Sequence, residues 1–136
     1  MKVVFTAIYT LFSATPPTTA LNTALGGRFY PYEAPESATY PYCVYSMVSD
    51  IPDYAFGGKK DVSTFRVQFS LYSQKSSAVE VLNAYENLKT LFDGCKLSVT
   101  GYTFLSCIRE NSVLYRHPET NIWQHNTDYL ISISTT

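Results

Sequence analysis

From Thr64 to Leu71 the chain alternates without a break. Phe65, Val67, Phe69 and Leu71 interleave with Thr64, Arg66, Gln68 and Ser70. Successive side chains of an extended strand point to opposite faces. This period of two therefore commits the chain to a sheet with one buried face and one face left to water or a partner. The apolar face must be covered, and the next segment supplies a cover. Ala78, Val81, Leu82, Tyr85, Leu88 and Phe92 fall on one helical stripe, while Asn83, Glu86, Asn87 and Thr90 face away. The helix starts at Ser76 or Ser77 and stops at Gly94. Ser77 followed three residues later by Glu80 has the spacing of a capping box.

The stretch 25–45 frames the other side of this strand. Gly26-Gly27 stops one element, since glycine adopts the left-handed conformation of a helix end. Arg28 to Tyr32 is a short extended piece pinned by Pro31, an acidic loop is closed by Pro35, and a strand opens after Pro41. The remaining elements are a helix over about Val3 to Ser13 ended by Pro16-Pro17, a short helical turn from Thr18 to Leu25, and strands near Tyr42 to Ser49, Gly101 to Glu110 and Trp123 to Ser134. The predicted order is α-β-β-α-β-β. The fold class is α+β: a single, mostly antiparallel four-stranded sheet with helices packed on one face. Residues 1–136 form one domain by the length prior, with the sheet and helix core over 42–134.

Met1-Lys2 followed by Val3 to Leu11 imitates a short signal peptide, with Ala14 and Ala20 as processing neighbours. Thr6, Tyr9 and Thr10 interrupt the run, and Val4, Ile8, Leu11 and Phe12 recur at helical spacing, so a folded N-terminal helix is expected. No apolar run approaches the length of a membrane span.

Charge and cysteine usage narrow the function classes. The formal net charge is −1, whereas a protein that grips phosphates needs a surplus of lysine and arginine. The basic amphipathic helix of a membrane-surface binder is missing too. Cys43, Cys95 and Cys107 are an odd number without CxxC or Cys/His spacing. Cys43 and Cys107 lie in apolar strand patterns as small core residues, which points away from a disulfide scaffold and towards a reducing compartment. Twelve tyrosines against one tryptophan suit strands, and also surfaces that become buried against a partner.

Motifs that carry reactions are missing: no GxSxG, P-loop, GxGxxG or HExxH. His117 sits beside a proline in a loop and His125 in a strand pattern, neither with ligands at metal spacing. Asp50 and Asp53 are too few oxygens for calcium, and Cys107 lies among apolar neighbours with no base at hand. The expectation is no enzyme and no cofactor. The connection over 50–63 holds Tyr54, Phe56 and Gly57-Gly58-Lys59-Lys60. It reads equally as an arm with aromatic anchors and as a loop folded back on the sheet edge.

Taken in order, Leu25-Gly26-Gly27-Arg28-Phe29-Tyr30, Ala34-Pro35, Tyr40-Pro41-Tyr42, Val67 to Ser73, the Ser76 to Phe92 helix, and Asn121 to His125 with Tyr129 resemble the tail-completion, or tail-terminator, proteins of long-tailed bacteriophages. The resemblance implies a structural virion protein of the neck, assembled in the host cytoplasm. Its subunits would form a hexameric ring at the head-proximal end of the tail tube, which terminates tube polymerisation and docks the head connector or stopper protein. DNA would pass through the lumen without specific binding. A closed ring needs two unlike complementary patches per subunit, and Tyr54, Phe56, Lys59, Lys60, Arg66, Gln68 and Arg116 are the candidate interface residues. Two other classes stay open at this point: a single-stranded nucleic-acid-binding module stacking bases on Phe104, Trp123 and Tyr129, and a small enzyme or ligand-binding domain with a pocket under the helix.

Overall fold

In the computed structural model, residues 2–13, 20–54 and 60–135 are described, with the side chains of 53–54, 60–61 and 135 outside the description. The elements run α1 (Lys2–Phe12), α2 (Ala20–Leu25), β1 (Phe29–Pro31), β2 (Tyr42–Tyr54), β3 (Lys60–Ser73), α3 (Val79–Phe92), β4 (Tyr102–Arg116) and β5 (Trp123–Thr135). They build a five-stranded sheet in the order β1-β2-β3-β5-β4. All pairings are antiparallel except β1 with β2. The α+β class and the mostly antiparallel sheet are as expected, and the strand number is five rather than four. The fifth is the short extended piece pinned by Pro31, whose three residues pair with Cys43, Val44 and Tyr45. Three residues are too few to show a period.

The Phe65 to Leu71 alternation is the centre of the sheet, flanked by β2 and β5. Its apolar face, with Tyr45, Tyr129, Ile131 and Ile133, joins the helices in one buried cluster. The α1 helix contributes Val4, Ala7, Ile8 and Phe12. The threonines that interrupt its apolar run satisfy themselves locally: the Thr6 and Thr10 hydroxyls donate to the carbonyls of Lys2 and Thr6 at 3.2 and 2.8 Å. Rings carry much of the packing. Phe12 stacks on Phe29 at 4.1 Å, Phe29 on Tyr45 at 4.4 Å, and Phe69 lies 4.7 Å from Phe92 and edge-on to Tyr129 at 5.6 Å. Each such pair adds about 1 kcal/mol beyond the area it buries.

Two helix details differ from expectation. The capping box does not form: Ala78 is the N-cap without a side-chain bond, Ser77 Oγ accepts from the Val79 N–H at 3.2 Å, and Glu80 accepts from the Ser73 hydroxyl at 2.7 Å instead. Glu80 is therefore spent on tying α3 to the end of β3. Leu82, expected on the buried stripe, is exposed, and Ala84 takes its place inside. The C-terminal end follows the sequence. Gly94 adopts φ +64°, and the Asp93 N–H donates to the Lys89 carbonyl at 2.8 Å.

The strands run longer than their alternation suggests. Residues 50–54 and 60–63 are not loop but the distal halves of β2 and β3, so the connection shrinks to 55–59, outside the described residues. A register shift at Val48 breaks the alternation there. Pro52 falls where β2 has outrun β1 and one side of the strand is unpaired, which is where a strand tolerates proline. Likewise β4 continues past Glu110 to Arg116, through shifts at Leu105 and Glu110. A bulge inserts one extra residue and resets which side chains share a face. Residues 111–116 therefore fall beyond the end of the predicted strand while remaining strand in the fold.

Candidate assembly surface

Among the described residues, helices cover only one face of the sheet. The other carries Arg66, Gln68 and Tyr72 of β3, half-buried, beside Gln124, Asn126, Asp128 and Leu130 of β5, also half-buried. At its centre Arg66 donates to both carboxylate oxygens of Glu110 at 2.9 Å and to Asp128 at 3.3 Å. The bulge makes this fork possible, because Glu110 is the extra residue between Arg109 and Asn111 and is free to turn towards β3. Glu110 first, then Asp128, favour the charged form of the Arg66 guanidinium.

One end of the bare face is a band of tyrosines. Tyr42 stacks on Tyr72 across β2 and β3 at 5.0 Å, with Tyr40 at 5.0 Å and Tyr30 at 6.1 Å from Tyr42. Across β5, Tyr115 meets His117 edge-on at 5.1 Å, and His117 Nε2 shares a hydrogen bond with Gln124 Oε1 at 2.7 Å. Burial, then the hydrogen bond to Tyr40, pushes the Tyr42 phenol well above the usual tyrosine range. Large rings with neutral hydroxyl tips suit contact with another macromolecule.

The β4 edge continues this surface. It is a 15-residue edge strand, exposed along most of its length. Ile108 is 59% exposed and Val113 49%. Both point to the bare face, since they register with Leu130 and Asn126, although five positions apart they would oppose each other in an unbulged strand. On the far flank, β1 pairs with β2 only over Cys43 to Tyr45, leaving Ser46 to Tyr54 open on one side among the described residues. The sheet thus has two unlike open edges.

The interface residues predicted from sequence that are described lie at different places on the sheet. Arg66 and Gln68 share the bare face, but Arg66 is held within the sheet by its two carboxylates. Tyr54 and Lys60 pair at the tip of the β2–β3 hairpin, with side chains outside the description, and Phe56 and Lys59 lie outside the described residues. Arg116 is at the opposite end of the sheet, its guanidinium 5.2 Å over the Trp123 ring. The tyrosine band was missed. Its signal was present, because Tyr72 has the parity of Arg66 and Gln68 and so belongs to the wet face.

The base-stacking reading is corrected. Tyr129 is fully buried, Trp123 is half-buried beneath Arg116, and Phe104 packs against the core, so the three cannot present a platform. The hollow where α2 meets the start of α3, about 510 Å³, is lined by residues including Lys75, Ser77, Glu80 and Asn83. Glu80 there is engaged by Ser73 and not by another titratable group. Among the described residues no group of three or more His, Cys, Asp or Glu is placed to hold a metal ion, and no helix is long and apolar enough to cross a membrane.

Comparison with known proteins places this geometry. A family model described as "Tail completion protein gp17" matches residues 6–134. A chain from a structure described as "Virion of native gene transfer agent (GTA) particle" superposes with a TM-score of 0.77 at 11% identity, over 95% of this chain and 92% of that one. At that identity the likeness speaks for the fold. No curated protein matches the sequence to a significant degree.

Proposed function

Because the chain belongs to the tail completion protein gp17 family, a structural and non-enzymatic component of phage-like virion tails, we propose that it closes the head-proximal end of the tail tube as a ring and docks the tail to the head connector or stopper protein. The observation that carries this reading is the family match across nearly the whole chain. The geometry supports it. A ring forms through a head-to-tail contact that joins two different surfaces of each copy. The bulged β4 edge and the open distal half of β2 are two such surfaces on opposite flanks of one sheet. About six copies would close the ring, with the bare face and its tyrosine band left for the ring neighbour, the tail tube protein or the connector. Arg66, Gln68 and Arg116 remain interface candidates, the first two on the bare face and the third at the sheet end, with Tyr54 and Lys60 where β2 and β3 meet their connection and Phe56 and Lys59 outside the described residues. A net charge of −1 suits a lumen through which DNA slides, because phosphate affinity comes from basic side chains.

Electron microscopy of tails assembled with and without this protein tests the reading. Overlong tubes, or finished tails that fail to join heads, are expected in its absence. Tails of normal length that join heads normally would overturn it.

A further inference from the structure

Two of the three thiols meet outside the surface described so far. Cys95 follows Gly94 where α3 ends, and Cys107 sits in β4, yet both line one surface hollow of about 310 Å³ with Gly94, Lys96, Phe104 and Ile108. A single carbonyl gathers them: Phe92 O accepts from the Cys95 N–H at 3.2 Å and from the Cys107 thiol at 3.4 Å. Cys95 is half-buried, Cys107 is buried beneath it, and Cys43 is buried elsewhere in the core. We propose that Cys95 and Cys107 are a thiol–disulfide modification site, which low-molecular-weight disulfides close into an intramolecular bond between the end of α3 and the edge strand.

The order of events follows from the two environments. The neighbouring Cys107 lowers the Cys95 thiol, while Cys95 and then burial raise the Cys107 thiol. Thiolate is the attacking form, so Cys95 attacks first. Its sulfur bonds to one sulfur of the incoming disulfide, whose S–S bond breaks and releases one thiolate. Cys107 then loses its proton to water and attacks Cys95 Sγ, breaking the mixed disulfide and releasing the second thiolate. Two protein thiols are oxidised by two electrons and one external disulfide is reduced to two thiols. The bond would close a short loop around the irregular segment 95–101, so it would restrict the unfolded chain less than a longer-range bridge does. Disulfides persist outside cells and are reduced within them, so a virion component meets the oxidising condition on release. The chemistry itself does not depend on the assembly role.

The test treats the purified full chain with oxidised glutathione under native conditions, followed by thiol titration and peptide mapping. The expected result is loss of two of the three thiols, an intact mass lower by two hydrogens, and a Cys95–Cys107 linked peptide. Cys95→Ala should keep both remaining thiols. Cys107→Val should stop at a glutathione adduct on Cys95. A stable glutathione adduct on the unaltered chain, a bond involving Cys43, disulfide-linked dimers alone, or three unreacted thiols would each overturn the proposal.

Discussion

His125 makes the fold sensitive to acid. Its ring lies 3.9 Å from that of Tyr85, and its Nδ1 is buried without a hydrogen-bond partner among the described residues. Burial first, and the Lys89 ammonium second, push its pKa below the ordinary 6.5. The unfolded chain therefore takes up this proton at a higher pH than the folded one, so stability rises with pH in that window. The contribution is complete above 6.5. It is lost as the pH falls below that value, and the loss levels off once the folded histidine is also charged. Urea unfolding at a series of pH values should show this acid limb, and His125→Phe, which keeps a ring against Tyr85, should flatten it. An unchanged limb in that variant would assign the acid sensitivity to other groups. Nearby, Tyr129 donates to Asp93 at 2.5 Å, Arg109 donates to Asp93 at 3.1 Å and to Tyr85 at 2.9 Å, and the end of α3 is thereby tied to β5 and β4. None of this network was legible in the sequence. Its members lie far apart along the chain, and nothing in Asp93, a residue at a helix stop, distinguishes a tie from a solvated carboxylate.

At the scale of elements, bulges decide what could be read beforehand. Where alternation is strict, as from Thr64 to Leu71, strand, buried face and wet face all follow from the pattern. Where one residue is added, at Val48 and at Glu110, the pattern stops and the strand goes on. The same extra residue puts Ile108 and Val113 on one face, so the exposed apolar strip of β4 was invisible for the reason that it exists. Bulges on an edge strand also protect it, because a twisted, irregular edge pairs poorly with arbitrary strands. A specific neighbour is then needed. Ile108→Lys and Val113→Lys should change monomer stability by no more than about 0.5 kcal/mol, as exposed positions usually do, while preventing incorporation into tails. Chemical denaturation and electron microscopy of tails formed with each variant provide the check. Variants that assemble normally would remove β4 from the interface.

For the whole molecule, the governing fact is asymmetry. Among the described residues all the helical cover lies on one side of the sheet, and the side left bare is half-buried and mixes polar with aromatic side chains. Class and architecture followed from periodicity and element order, and assignment to a tail component followed from the order of several weak motifs together. The location of the contact surface did not follow, because it arises where distant strands lie side by side. Tyr42 and Tyr72 are neighbours only after the sheet has formed.

Trp123 offers a way to watch this molecule at work. It is the single tryptophan of the chain, seated at the tyrosine end of β5 with Arg116 above its ring and its indole N–H buried without a partner among the described residues. The protein thus carries one tryptophan reporter at the tyrosine end of the sheet, packed against the core with a cation over its ring. Titrating tail tubes into the protein while following emission should shift its wavelength or yield as the copies dock. The same titration with Trp123→Phe should lose that change, so association can be timed without attaching a dye.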